Sequence, residues 1–242
     1  GLGVVAGLCE GAAKKRPTPV DGGTAVYTGR WLGSLRHGEG VQEWPDGARL
    51  QGQWVHGVVH GYARYQQACG DVYEGGWVND RADGHGTYAR ADGSRYEGQW
   101  HQDLQSGAGS EAWPDGALFE GQYVEGSKSG DGHFRWPDGS RYDGQFSDSC
   151  ISGRGTYLWA DGRTYKGQWQ GNKMHGAGTY AWPDGRTYVG ELRQDLRHGH
   201  GVLRRGDGSE YCGQWEKGEM HGTVVYRDGS GRRERGRWHE GA

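Results

Sequence analysis

Residues Tyr165 to Gly185 read YKGQWQGNKMHGAGTYAWPDG, and the order of residue types in this stretch decides the fold. Tyr165, Gly167 and Trp169 alternate with Lys166 and Gln168, so rings and glycine face one side of an extended chain and polar groups the other. The return half, His175-Gly176-x-Gly178-x-Tyr180-x-Trp182, alternates in the same way and runs into Pro183-Asp184-Gly185. Proline presets φ, Asp bonds its local backbone and Gly accepts positive φ, so this tripeptide is a turn. Two half-buried alternating segments with turn chemistry predict a β-hairpin.

The pattern recurs outward from this stretch with a period of 23 residues. From Tyr27, one column runs Tyr27, Leu50, Tyr73, Tyr96, Phe119, Tyr142, Tyr165, Tyr188, Tyr211 and Glu234, without an insertion. Two residues on, the column from Gly29 to Gly236 is glycine throughout. Four residues on, it holds Trp31, Trp54, Trp77, Trp100, Tyr123, Phe146, Trp169, Leu192, Trp215 and Trp238. All 12 Trp, all 3 Phe and 13 of 14 Tyr occupy four of the 23 phases, Tyr62 being the exception, which removes chance as an explanation. Stacked units of this kind bury a core that one unit could not. Pro45, Pro114, Pro137 and Pro183 all sit in the turns, sparing the strands a missing donor. The strand glycines leave recesses over which a neighbouring ring can lie.

Composition agrees. Leu, Ile, Val and Phe make up 30 of 242 residues, too few for an aliphatic core, and 50 glycines disfavour long helices. The 29 aromatic residues argue against disorder, since disordered chains lack them. A net charge of −3 provides no field for nucleic-acid phosphates, so no nucleic-acid partner is expected. The longest apolar stretch, Leu2 to Leu8, is far short of the roughly 20 residues of a membrane-spanning helix. Cys9, Cys69, Cys150 and Cys212 make no C-x-x-C pair, and reduced thiols in a cytoplasmic setting are expected. Gly1 stands where an initiator Met would, as in a processed or cut chain that has lost a targeting segment or belongs to a longer protein.

Residues of the form Y-x-G-x-W, five residues, H-G-x-G and then D-G, as in Tyr165 to Gly178 with Asp184-Gly185, resemble the MORN (membrane occupation and recognition nexus) repeat. The resemblance implies an all-β, elongated, single-layer solenoid of stacked antiparallel hairpins. Nine repeats would span residues 27–233, with a partial tenth at 234–242 as C-terminal cap. Residues 1–26 would form a degenerate N-terminal capping strand, in which Val4, Ala6, Leu8 and Gly11 keep the spacing, and a lead-in containing Pro17 and Pro19. Asp21-Gly22 and Asp228-Gly229 lie two residues early relative to the other turns, predicting atypical connections at both ends. The resemblance also implies a scaffold that binds protein partners, forms homodimers in cytoskeletal members, or associates with membranes. Cytoskeletal, ciliary or membrane-junction settings follow from it.

Geometry then limits the chemistry. Two strands per unit at about 4.8 Å advance the stack roughly 10 Å per repeat, or about 90 to 100 Å in all. His37, His60, His175, His198 and His221 share one phase, but neighbours so far apart cannot share an ion that needs ligands near 2.0 Å. The turn aspartates, Asp46 to Asp207, are likewise too separated for a paired-carboxylate acid and base. No helix follows Gly176-x-Gly178 to hold a phosphate, and the serines have no common His and Asp partners. No enzyme activity, metal or cofactor is expected. A single layer leaves its ring-bearing face partly open, and a protein partner is expected there. The stretch where ring types change, from Trp100 through Phe119, Tyr123 and Phe134 to Phe146, is the predicted contact. Two basic clusters, Lys14, Lys15 and Arg16, and Arg232, Arg233, Arg235 and Arg237 beside Arg227, support the alternative of an anionic lipid surface. A third reading makes the chain an accessory segment of a larger enzyme. Exposed edge strands at both ends predict self-association, as a homodimer or by end-to-end contact.

Overall fold

The computed structural model describes residues 25–238, so the N-terminal capping strand, Lys14, Lys15, Arg16 and Cys9 lie outside the described residues. The described chain contains strands and no helix, and within each of its two units consecutive strands pair antiparallel. It divides into two compact units, residues 1–128 and 129–242. The first unit carries β1 (Val26–Leu32), β2 (Leu35–Glu43), β3 (Arg49–Val55), β4 (Val58–Gln66), β5 (Val72–Val78), β6 (Arg81–Ala89), β7 (Arg95–His101), β8 (Leu104–Ala112) and β9 (Leu118–Val124). β10 (Ser127–Arg135) begins at the boundary. The second unit carries β11 (Arg141–Ser147), β12 (Cys150–Leu158), β13 (Thr164–Gln170), β14 (Lys173–Ala181), β15 (Thr187–Arg193), β16 (Leu196–Arg204), β17 (Glu210–Glu216), β18 (Glu219–Arg227) and β19 (Arg233–Trp238).

Each repeat is thus a short strand, a two-residue turn, a longer strand and a five-residue turn. The tight turn has no fixed sequence, yet both of its residues take positive φ: Asn79 and Asp80 at 51° and 64°, Gln102 and Asp103 at 50° and 72°, Gln194 and Asp195 at 51° and 70°. That is the type I′ geometry whose twist matches paired strands. Its second residue also grips the preceding hairpin. Asp103 Oδ1 accepts from the Ala82 N–H at 2.8 Å, and Asn172 Oδ1 accepts from the Ile151 N–H at 2.7 Å. At Gly57 and Gly218, where glycine stands instead, an arginine donates to the glycine carbonyl, Arg36 and Arg197 respectively, both at 2.6 Å. The five-residue turn is closed by backbone bonds such as Trp182 N–H to the Arg186 carbonyl at 2.9 Å, and Asp184 Oδ1 accepts from the Arg186 N–H at 3.1 Å.

Rings and glycines interlock in the way the period predicts. In the first unit Gly98 faces Gly109 across β7 and β8, and a bulge follows between Gly98 and Trp100. Tyr96 lies over both glycines: a β-carbon on Gly98 would meet its Oη at 2.5 Å, and one on Gly109 its Cε2 at 2.6 Å. The Tyr96 hydroxyl donates to the Gln99 carbonyl at 3.0 Å, at the residue that the bulge takes out of the ladder. Trp100 Nε1 donates to the Gly86 carbonyl at 3.1 Å. In the second unit Tyr165 and Trp169 repeat these bonds to the carbonyls of Gln168 and Gly155, at 3.0 and 3.3 Å. Burial pushes the Tyr165 phenol up to about 12, which keeps the donor proton in place. Edge-to-face contacts link the rings, Tyr96 to Trp100 at 5.2 Å and Tyr165 to Trp169 at 5.1 Å.

The glycines of H-G-x-G have separate reasons. The second is the one covered by tyrosine. The first sits in the left-handed region, with φ of 71° at Gly107 and 59° at Gly176, where a side chain would be strained. One expectation is corrected at the C-terminal end. The Asp228 N–H donates to the Arg232 carbonyl at 3.0 Å and the Gly231 N–H to the Asp228 carbonyl at 2.9 Å, the same closure as at Trp44 and Gly47. The connection is therefore regular. Gly231, with φ of 95°, does the work of the usual turn glycine, and the early Asp228-Gly229 only resembles a displaced turn.

Candidate binding surface

Two of the ring columns are not sealed. In the second unit, the rings near the ends of β10, β12 and β14 and the tryptophans that open the turns after them form one row: Phe134, Trp136, Tyr157, Trp159, Tyr180 and Trp182, all half-buried, while Leu203, Arg205 and Asp228 take the same columns farther along. Centroid separations along it are 4.4, 5.0, 4.5, 5.3 and 4.5 Å, with planes inclined by 33° to 47°. The backbone holds the row rigid. Tyr157 and Tyr180 sit in register opposite Tyr165 and Tyr188, and each tryptophan is fixed by its turn bond, as Trp159 N–H is to the Arg163 carbonyl at 2.9 Å.

Arginines frame the row. Arg163 lies 5.5 Å over Trp159 and Arg186 lies 5.2 Å over Trp182, each held by the carboxylate of its own turn, Asp161 at 2.6 Å and Asp184 at 2.7 Å. Arg163 also donates to the Tyr180 hydroxyl at 3.2 Å. Burial raises the phenols of Tyr157 and Tyr180, so the row carries no acid or base that titrates near neutral pH. Among the described residues no three of His, Cys, Asp and Glu are gathered as metal ligands would be.

The same columns in the first unit are occupied differently. Gln67, Arg90 and Glu111 interrupt the rings, and Glu111 is 2% exposed. Its carboxylate accepts from Lys128 Nζ at 2.8 Å, from Arg90 at 3.2 Å and from the Tyr123 hydroxyl at 3.2 Å. Lys128 Nζ in turn stands 5.0 Å from the ring centroids of Trp113 and Phe119. Desolvation lowers the Lys128 ammonium, while Glu111 opposes the shift.

The ring types predicted as the contact do not share one open surface. Trp100, Phe119 and Tyr123 are buried core of the first unit, and Phe146 is buried core of the second. Their edges and faces are taken up by neighbouring rings, Tyr73 on Trp100, Tyr96 on Tyr123 and Tyr142 on Phe146. Phe134 alone of the five is half-exposed, and it opens the row described above. The sequence signal for the other five members was present in the two ring phases at the turn, but accessibility is not visible in a period. Of the basic residues, Arg232 is paired with Glu234 at 3.0 Å, whereas Arg233, Arg235 and Arg237 alternate along β19.

Comparison with known proteins adds the family. The model of the MORN repeat matches nine segments, 27–49, 51–72, 73–95, 96–118, 119–141, 142–162, 165–185, 188–210 and 211–231. The chain belongs to the MORN repeat family. MORN repeats are generally modules for interaction with proteins and membranes, and the family is typically non-catalytic. No curated protein matches this MORN chain. Among solved structures it is similar to the TCP domain of Drosophila melanogaster SAS-4 (dCPAP), solved in complex with a proline-rich motif of Ana2, at 17% identity and a TM-score of 0.39, covering 64% of this chain and 85% of that one. A CPAP G-box domain matches at 15% identity and a TM-score of 0.42, covering 84% of this chain and 100% of that one. The TCP10 domain of Danio rerio CPAP matches at 10% identity and a TM-score of 0.40, covering 83% and 89%.

Proposed function

We propose that this MORN chain is a non-catalytic scaffold that docks a segment of a partner protein along the row Phe134, Trp136, Tyr157, Trp159, Tyr180 and Trp182, and so joins a larger cytoskeletal or membrane-associated assembly. The observation that carries the reading is six half-buried rings in one continuous stack, anchored to backbone, in a unit where Tyr142, Phe146, Tyr165, Trp169, Tyr188 and Trp215 are sealed in the core. Rigid aromatics lose little conformational freedom on binding, so they serve well as anchors. Arg163 and Arg186 supply donors at the rim that orient an incoming backbone or carboxylate.

The test compares the wild-type chain with Trp159→Ala/Tyr180→Ala by cross-linking in the native setting, followed by identification of the neighbours and direct affinity measurement on each. A partner that binds the wild type and loses about tenfold or more on the double variant supports the reading. Unchanged affinity of every neighbour, with the variant still folded by circular dichroism, overturns it.

A further inference from the structure

The outer face of the second unit carries a charged feature that is separate from the ring row. Strand β19 alternates Arg233, Arg235 and Arg237 toward one side and Glu234, Gly236 and Trp238 toward the other. Successive arginines on a strand stand about 6.8 Å apart. Arg227 of β18 pairs in register with Arg233, which adds a fourth guanidinium beside the line. All four side chains are exposed, and none forms an ion pair among the described residues. Arg232, by contrast, belongs to the turn and is occupied by Glu234.

The surroundings of this line narrow what it can bind. On the same face β18 presents Thr223 and Val225 beside Arg237 and Arg235, and β17 presents Cys212 and Gln214. Glu210 is already engaged by Arg204 at 2.7 Å, and Glu216 and Glu219 face each other at the hairpin turn, beyond Thr223. The positive charge is therefore a line along β19 extended by Arg227 of β18, with the neutral Thr223 and Val225 beside it and Glu210, taken up by Arg204, in register with Arg227. A membrane favours a basic plane with apolar groups to insert, and a single-stranded nucleic acid favours rings on which bases stack. This face has no Trp, Tyr or Phe ring among the described residues, and the apolar groups in register with the basic line are a single row, Val225, Cys212, Val202 and Val189, that meets it only at Arg235 and so makes no basic plane. A chain in extended conformation, however, repeats its own alternate side chains at the same interval of about 6.8 Å.

We propose that this face of β19 binds an acidic protein segment in extended conformation, with carboxylates at alternate positions, each meeting one of Arg233, Arg235 and Arg237, and with Arg227 engaging the end of the run. Guanidinium and carboxylate form charge-assisted, frequently bidentate hydrogen bonds, and at an exposed site these are weakened by salt. The site is on the opposite face from the ring row, so it stands or falls independently of the function proposed above.

The experiment titrates the full chain into two fluorescein-labelled ten-residue peptides of equal composition, one alternating Glu and Ser, the other with its glutamates in one block. Anisotropy is read at about 50 and about 300 mM salt. The alternating peptide is expected to bind more tightly than the block, and to weaken on raising salt. Arg235→Gln and Arg237→Gln should each cost about two- to fivefold in affinity, the Arg233→Gln/Arg235→Gln/Arg237→Gln variant should lose binding, and Arg232→Gln should leave it unchanged. The variants are checked for an unaltered thermal midpoint, which exposed side chains should preserve. No binding at the lower salt, equal affinity for the two peptides, or equal loss with Arg232→Gln and Arg235→Gln would each overturn the proposal. Tighter binding to phosphatidylserine-containing vesicles, or to an oligothymidine, than to the alternating peptide would overturn it in favour of a lipid surface or a nucleic acid.

Discussion

The two units run the same backbone program and use one pair of columns for opposite ends. From β10 to β14 of the second unit these columns hold Phe134, Trp136, Tyr157, Trp159, Tyr180 and Trp182, a continuous row left half-open that ends at Leu203 and Arg205. In the first they hold Gln42, Gln67, Arg90 and Glu111 among the rings, and Arg90 and Glu111 join Lys128 in an inward network while Gln67 bonds Tyr88, which donates to the buried Asp71. A hairpin repeat tolerates either solution because the ladder and the tyrosine-over-glycine contacts are made elsewhere in the unit. The difference leaves a row of rings half-open in one unit and sets an internal electrostatic constraint in the other. A buried charge without its partners is far more costly than a ring at the same place, so the first unit is also the more sensitive to substitution.

The sharpest break of this comparison is Glu111→Ala. It leaves Lys128 and Arg90 in a buried setting without their carboxylate, and we expect a loss of about 3–5 kcal/mol, read as a lowered urea midpoint by tryptophan fluorescence. Replacing Glu111, Lys128 and Arg90 together by apolar residues of similar volume should recover most of it. A single-variant loss below about 1 kcal/mol would mean that the network is incidental.

Glycine substitutions give a smaller effect and separate two causes. Gly109→Ala places a β-carbon 2.6 Å from Tyr96 Cε2 and should cost about 1–3 kcal/mol by displacing the ring. Gly107→Ala, where φ is 71° and the first contact is 3.5 Å away, should cost about 1–2 kcal/mol from the backbone alone. Adding Tyr96→Leu should relieve only the former, a distinction that a double-mutant cycle reads directly.

The smallest effect is on acidification. The carboxyls of Asp92 in the first unit and Asp138 and Asp207 in the second are held below the usual range by hydrogen bonds from the serine two residues on. A carboxyl depressed in the folded state stabilises it above the unfolded value of about 3.9, and the contribution is lost as pH falls below that value. Hydrogen exchange at the amides of Ser94, Ser140 and Ser209 should therefore rise as pH drops below about 4, beyond the intrinsic pH dependence of exchange. Asp138→Asn should abolish this response at Ser140 alone.

Much of the architecture could be read in advance from Tyr, Gly and Trp at fixed intervals, because period-two alternation and Asp-Gly turns are local properties of an extended chain. The tight turns escaped notice, since pairs as different as His56-Gly57, Asn79-Asp80 and Lys217-Gly218 fill one geometry. The contact surface was legible only as a face. Trp100 and Trp159 are the same residue type in neighbouring columns, yet one is covered by Tyr73 and Tyr96 and the other keeps an open side.

What the amino-acid order determined by itself is the hairpin, its 23-residue period and the family it belongs to. These follow from alternation, turn residues and the absence of side chains at set places, all of which act over a few bonds. Only the tertiary structure decided which rings stay accessible, that Glu111 lies inside, and that Arg232 turns away from Arg233, Arg235 and Arg237. Burial and pairing depend on register across strands and on the bulge that follows each glycine, and those link residues that no local pattern connects.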